Sequence, residues 1–199
     1  MIKSIIFDLG GVYFTDGTKI AIQKISRMYN LKPSAVKIVF TAGSKYGNAY
    51  RKGKISGKEF WKRFKENFQI KTKEDLGRLW IGSYKPNSGV IKIIHKLRKK
   101  EFKIYFLSDN VKERADYLQK KYDFLENFID GVFSHKAHKT KLDKGMYMIA
   151  IRKTRKNPEE IVFIDDKKEY VETAKKLGIN GIVFKNSKQL KVELDKILK

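Results

Sequence analysis

Three short apolar runs in this sequence end in residues that can do chemistry. Ile5-Ile6-Phe7 runs into Asp8-Leu9-Gly10-Gly11, Phe102-Lys103-Ile104-Tyr105-Phe106-Leu107 into Ser108-Asp109-Asn110, and Ile161-Val162-Phe163-Ile164 into Asp165-Asp166. A short apolar run closed by acids or glycines has the pattern of a buried parallel strand feeding a tight loop. In open α/β sheets the site lies at the carboxyl ends of the strands. If these ends converge, Asp8, Asp165 and Asp166 share one crevice. Carboxylates that close repel one another, and they stay ionised together only around a cation. Oxygen ligands alone, without His or Cys, select a hard ion such as Mg²⁺. Mg²⁺ in an electropositive surround neutralises phosphoryl oxygens, so the pattern points to phosphate chemistry.

The elements between these ends must bring them together. Gly131-Val132-Phe133-Ser134 and Gly181-Ile182-Val183-Phe184 are two shorter strand candidates. Val90, Ile91, Ile94 and Leu97 repeat at helical spacing, as do Val171, Ala174 and Leu177, with Gly178 as a C-terminal stop. Strands alternating with helices from about residue 86 predict an α/β fold with a doubly wound, mostly parallel sheet. The stretch from Thr15 to Lys85 differs, with helical periodicity and little strand character. Its apolar sets are Ile20, Ile22, Ile25 and Met28; Val36, Val39 and Phe40; Phe60, Trp61, Phe64 and Phe68; and Leu76, Leu79 and Trp80. At helical spacing the aromatic set reads as packing inside the insert rather than as a stacking platform for bases. Asn30 to Ser34 reads as a break and a helix start, Arg51 to Gly57 as a loop with Ser56 as N-cap, and Lys85 to Gly89 as a return hinge. The expected organisation is a core of residues 1–14 and 86–199 carrying an inserted all-helical unit, residues 15–85.

Composition narrows the function. The chain has 199 residues, with 45 Lys+Arg, 22 Asp+Glu and no cysteine, so disulfides, thiolate metal sites and a cysteine nucleophile are excluded. No apolar run approaches the roughly 20 residues of a membrane span, and the run before Asp8 is too short for a signal peptide. A soluble cytoplasmic protein without a membrane partner is expected. The formal charge of +23 attracts phosphates, nucleic acid or anionic surfaces. The positive residues are mostly Lys and spread along the chain, whereas a nucleic-acid reader more often gathers Arg in one stripe with exposed aromatics. A small phosphorylated metabolite is the expected partner, with nucleic acid as the alternative.

Four segments, in order and at the right spacing, resemble the motifs of the haloacid dehalogenase (HAD) superfamily. Phe7-Asp8-Leu9-Gly10-Gly11-Val12 resembles the first motif, Leu107-Ser108-Asp109-Asn110 the second, and Ile164-Asp165-Asp166 the fourth. Lys141-Leu142-Asp143-Lys144-Gly145-Met146-Tyr147 resembles the third. The resemblance covers essentially the whole chain, and the helical insert is similar to that superfamily's type-1 cap. The Asp-Leu-Gly form of motif one, with the stretch from Gly47 to Ser56, resembles sugar-phosphate phosphatases related to bacterial α-glucose-1-phosphatase. The resemblance implies a HAD-like Rossmannoid core and a phosphatase using Mg²⁺. It implies Asp8 as nucleophile, Ser108 as donor to a phosphoryl oxygen, and Lys141 paired with nucleophile and phosphate. It also implies a metal held by Asp8, Asp166 and the Gly10 carbonyl, with Asp165 in support. Gly11, Asp109 and Asn110 of the motifs, and Arg51 of the cap, are the expected substrate contacts.

The sequence departs from that pattern twice. Gly10 stands where most superfamily phosphatases carry a second Asp that protonates the leaving alcohol, a contribution of about 10²–10⁴-fold; Asp16 is a candidate substitute. Tyr170 stands where an Asp or Asn usually supports the metal. Taken singly, the residues have plainer readings: Asp8 as a turn residue, Ser108 or Asp165-Asp166 as caps of the next helix. His95 falls on a helix pattern and reads as a surface or satisfied residue, while His135 and His138 lie in the loop before Lys141, where substrate contact is the minor reading. The leading function is a Mg²⁺-dependent phosphomonoester hydrolase of a small phosphometabolite, a sugar phosphate favoured, acting through an aspartyl-phosphate. The alternatives are a catalytically weak HAD-like protein binding phosphate ligands or nucleic acid, and a 2-haloacid dehalogenase using Asp8 without metal. Paired acids at 165 and 166 argue against the last.

Overall fold

The strands follow from burial on two faces. The structure is a computed structural model and describes residues 1–198. Ser4–Phe7 (β1) and Ile161–Asp165 (β4) are buried at every position, as the middle of a parallel sheet requires. Lys103–Ser108 (β2), Asp130–Phe133 (β3) and Asn180–Val183 (β5) complete a five-stranded sheet in the order β3-β2-β1-β4-β5, with every pairing parallel. The strands lie within a residue or two of the expected runs, and Ser108 and Asp165 are their last residues rather than the start of the loops.

Alternation along the strands sorts the core into two layers. Ile5, Phe7, Ile104, Phe106, Val162 and Ile164 face one side and pack with Ser88–Lys99 (α6), Lys112–Tyr122 (α7) and Ser187–Ile197 (α11). Ile6, Tyr105, Leu107, Ile161 and Phe163 face the other and pack with Lys144–Thr154 (α9) and Lys168–Lys175 (α10), while the single turn Ser134–Ala137 (α8) follows β3. Helices on both faces make the sheet doubly wound, and the winding reverses at β1. Ligand crevices in such sheets form at that reversal, outside the carboxyl ends of the strands.

Between β1 and α6 the chain forms only helices: Gly17–Met28 (α1), Pro33–Phe40 (α2), Lys45–Arg51 (α3), Gly57–Asn67 (α4) and Leu76–Ile81 (α5). Pro33 opens α2 and Ser56 caps α4 through Glu59 N–H, as the sequence predicts. The aromatic set forms the interior of this unit: Phe40, Phe60, Trp61, Phe64 and Trp80 meet edge-on or tilted, with ring centroids 5.2–6.0 Å apart. Where the chain leaves and returns, Thr15 N–H donates to Lys85 O at 2.8 Å and Lys85 N–H to Thr15 Oγ1 at 3.1 Å. Asn87 fastens the same neck, donating from its backbone to Tyr13 O and from its side chain to Val12 O, and it caps α6. No helix among the described residues is long and apolar enough to cross a membrane.

Candidate active site

Asp8 leaves β1 at the centre of the sheet, with β4 alongside. Phe7 pairs with Ile164, and Asp8 N–H donates to Ile164 O at 2.8 Å. The next residues of the two strands, Asp8 and Asp165, therefore emerge side by side. Carboxylate oxygens of Asp8, Asp165 and Asp166 all lie within 4.8 Å of one another. Gly11 permits this crowding. Its φ is +98°, and a Cβ there would lie 2.7 Å from Asp166 Cγ.

Lys141 closes the cluster. It is 2% exposed, and its Nζ donates to Asp8 Oδ1 and to Asp165 Oδ2, each at 2.6 Å. Its backbone is fixed by the second motif, because Lys141 N–H donates to Asp109 Oδ1 at 2.9 Å. Among its neighbours, Lys139 pairs instead with Asp143, the cap of α9. Burial works against the Lys141 ammonium, but Asp165 and Asp8 more than offset it, so its pKa stands well above the ordinary lysine value. The carboxylates move the other way. Burial pushes Asp8 up to about 7, against the pull of Lys141 and with Asp165 adding to the rise. Burial, then the charge of Asp8, pushes Asp166 up to about 6, and Asp165 is also raised by burial. One ammonium does not compensate three carboxylates, and Asp166 Oδ1 is buried with no hydrogen-bond partner. Oxygen donors alone, an unpartnered carboxylate oxygen and the Gly10 backbone at the same cavity fit a hard divalent cation.

The cluster opens into a cavity of about 780 Å³ between the sheet and the helical insert, within the range of small-ligand sites. Of the expected site residues, Asp8, Gly10, Arg51, Asp109, Lys141 and Asp166 line it. Asp165 is fully buried behind Lys141, and its Oδ1 accepts from Lys167 N–H. Ser108 is 2% exposed at the end of β2 and is not part of the cavity lining; α7 starts from Val111, so Ser108 is not its cap.

Two expected substrate contacts lie elsewhere. Gly11 sits against Asp166, outside the cavity lining. Asn110 turns into the protein, its Oδ1 accepting from Val111 N–H and from Arg114 Nε. His135 and His138 also miss the cavity, because both ring nitrogens Nδ1 are engaged by carbonyls, of Asn110 and of Lys52. With Ser134 Oγ, 2.7 Å from Arg51 O, they join the loop after α3 to the end of β3. His95 is exposed and meets Asn127 Oδ1. Asp16 lines the cavity and caps α1 through Lys19 N–H. The Tyr170 ring lies 5.2 Å from Lys141 Nζ and forms cavity wall, at the position where the resembling family usually has Asp or Asn.

Arg114 and Tyr84 also belong to this wall, and the sequence reading passed over them. Arg114 donates from Nε to Asn110 Oδ1 at 2.5 Å, from Nη2 to Asp109 O at 2.8 Å, and from Nη1 to Tyr84 OH. Its guanidinium lies 4.6 Å from the Tyr84 ring centroid and 4.8 Å from that of Trp80. Arg114 shares the buried stripe of α7 with Ala115 and Leu118. A cation on the apolar side of a helix was the available signal.

Comparison with known proteins agrees with this geometry. The profile of the haloacid dehalogenase-like hydrolases matches residues 2–178. A "Phosphorylated carbohydrates phosphatase" from Thermotoga maritima is 26% identical over 117 residues; that match takes in 59% of this chain and only about half, 54%, of the relative's length. A predicted HAD-like family hydrolase from Porphyromonas gingivalis superposes with a TM-score of 0.78 at 19% identity, covering 100% of this chain and 98% of the other. A HAD family enzyme from Bacteroides thetaiotaomicron, in complex with magnesium and inorganic phosphate, superposes with a TM-score of 0.74 at 20% identity, covering 94% and 96%. By its fold, its motif order and a profile match over most of its length, the chain belongs to the haloacid dehalogenase-like hydrolases.

Proposed function

We propose that this protein is a Mg²⁺-dependent phosphomonoester hydrolase acting on a small phosphorylated metabolite, with phosphorylated carbohydrates the first class to examine. The observation that carries the reading is the cluster of Asp8, Asp165 and Asp166 around Lys141, open to a cavity of metabolite size. The phosphatase name of the Thermotoga maritima relative and the magnesium and phosphate of the Bacteroides structure support it.

Asp8, Asp166 and the Gly10 carbonyl would hold the Mg²⁺, with Asp165 in support. When bound, the ion would supply positive charge against the phosphoryl oxygens and hold the neighbouring carboxylates ionised. The Asp8 carboxylate attacks phosphorus, the bond to the ester oxygen breaks, and that oxygen leaves with a proton. Water then attacks the aspartyl-phosphate, releasing inorganic phosphate and restoring the carboxylate. Lys141 keeps its proton throughout and offsets charge on nucleophile and phosphate, while Ser108 donates to a phosphoryl oxygen. The chemistry is then mainly positioning and electrostatics. Residues 15–85 act as a cap domain over the cavity, excluding water and shaping substrate choice. Gly10 carries no proton donor, and Asp16 on the cavity rim is the candidate replacement.

The test is hydrolysis of an aryl phosphate with and without Mg²⁺, in the native protein and in Asp8→Asn. Its good leaving group asks little of Gly10. Mg²⁺-dependent turnover, lost by about 10³-fold or more in Asp8→Asn, supports the reading; turnover retained in Asp8→Asn overturns it. A second reading, a phosphate binder with little turnover, draws on Gly10 and would show as Mg²⁺-dependent phosphate binding without hydrolysis.

A further inference from the structure

Two guanidiniums on the cavity wall have no ionic partner. Arg51 is 8% exposed and Arg114 is 4% exposed, and both line the same cavity as Asp8. Neither forms an ion pair among the described residues. Every acceptor that Arg114 uses is neutral: an amide oxygen, a backbone carbonyl and a phenol. Among the described residues the Arg51 side chain donates once, from Nη1 to Gly47 O at 3.3 Å, and the residue lines the cavity. Asp109 is the carboxylate whose charge reaches Arg51, yet the two form no bridge, and burial and the charge of Arg114 lower the Arg51 pKa.

Buried charges are ordinarily paired, because taking an ion out of water is costly. Here two like charges share one wall, and each is held by a framework. Arg114 is clamped by Asn110, Asp109 and Tyr84 and sandwiched by aromatic rings. Arg51 is placed by α3, whose last carbonyl is met by Ser134 Oγ. The Asp109 that takes Arg114 at its carbonyl also takes Lys141 N–H at its carboxylate, so Arg114 and the Asp8 cluster are tied to one loop. Fixed, desolvated guanidinium donors are suited to a carboxylate or a phosphate.

We infer that Arg51 and Arg114 form a second anion site, so that the substrates of this protein are phosphate esters carrying another anionic group, a carboxylate or a second phosphate, on the leaving portion. The inference rests on the phosphatase reading for the first phosphate. It divides phosphorylated carbohydrates into two sets: phosphorylated sugar acids and bisphosphates fit, and monophosphates of neutral sugars leave the arginines unpaired.

Two matched pairs test it in the full chain with Mg²⁺: 3-phosphoglycerate against glycerol 3-phosphate, and fructose 1,6-bisphosphate against fructose 6-phosphate. In at least one pair the dianchored ester should have kcat/KM higher by about tenfold or more. That preference should fall toward unity in Arg51→Gln and survive in part in Arg51→Lys. Equal kcat/KM within both pairs in the native protein overturns the inference and leaves the phosphatase reading standing, and this arm needs no variant. If the native protein hydrolyses none of the four, the aryl phosphate test decides the phosphatase reading, and calorimetric binding of the same pairs decides the second anion site alone. A binding preference for the second anion, lost in Arg51→Gln, then supports the site; equal binding overturns it.

Discussion

Lys141 Nζ lies 2.6 Å from Asp8 Oδ1 although 133 residues separate the two in the chain. The same nitrogen is 2.6 Å from Asp165, so one buried ammonium bridges the ends of adjacent strands. Its removal leaves two buried carboxylates facing each other. Lys141→Met should lower the unfolding free energy by about 3–5 kcal/mol near neutral pH, read from urea denaturation. The deficit should shrink on acidification, as the stranded carboxylates take up protons. A loss under about 1 kcal/mol would mean that the pair contributes nothing to the fold.

Asp166 gives a pH signature of its own. Its pKa rises from 3.8 to about 6 on folding, so the folded protein holds that proton more tightly than the unfolded chain. The contribution favours the fold fully below about pH 4 and is lost as pH climbs through about 6. Without Mg²⁺, Asp166→Asn should therefore melt at higher temperature than the native protein at about pH 7.5, with the gap closing near pH 4. Excess Mg²⁺ should reverse the order near neutral pH, because the native carboxylate gains from the cation and the amide gains less. Melting curves that stay parallel across pH, with or without Mg²⁺, would remove Asp166 from the metal site.

Gly11→Ala tests the crowding beside that carboxylate. A non-glycine residue at φ +98° is strained, and the new Cβ would stand 2.7 Å from Asp166 Cγ. The substitution should cost more than about 1 kcal/mol and push the carboxylate aside, weakening the Mg²⁺-induced rise in Tm. An unchanged response to Mg²⁺ would show that the Asp166 position has slack.

Gly10→Asp addresses the missing proton donor. A Cβ there meets Tyr84 Cε1 at 3.4 Å, an ordinary contact, so the carboxylate can enter the cavity. Alkyl phosphates, whose leaving groups need protonation, should gain over aryl phosphates by about tenfold or more. If the ratio does not move while Asp16→Asn lowers it, the proton comes from the rim.

The sequence reading was strongest where burial writes a pattern. β1, β2 and β4 are buried at nearly every position, so they appear as apolar runs, and the acids closing two of them stood out. The insert helices were legible because a buried stripe recurs every three or four residues, as at Phe60 and Phe64. Lys141 needed the motif order as well, since a chain with 45 Lys and Arg offers many neighbours of the same type. Arg114 was passed over among those cations because what sets it apart, beyond its place on the apolar side of α7, is its acceptors: Asp109 O and Asn110 Oδ1 from the loop before the helix, and Tyr84 OH from a distant part of the chain. Asn110 was misjudged for the same reason. A side chain beside a site faces in or out according to partners that spacing does not reveal.

The paired hydrogen bonds between Thr15 and Lys85 carry a consequence for how the chain can vary. The two ends of a 71-residue excursion are already held together at its base, so the sheet experiences that excursion much as it would experience a turn. The entropy of closing a loop grows only with the logarithm of its length. Lengthening, shortening or exchanging the segment therefore costs the strands little, and recognition can drift while the reactive ends stay in register. At the neck, the fold separates a part that must be kept from a part that is freer to be rewritten.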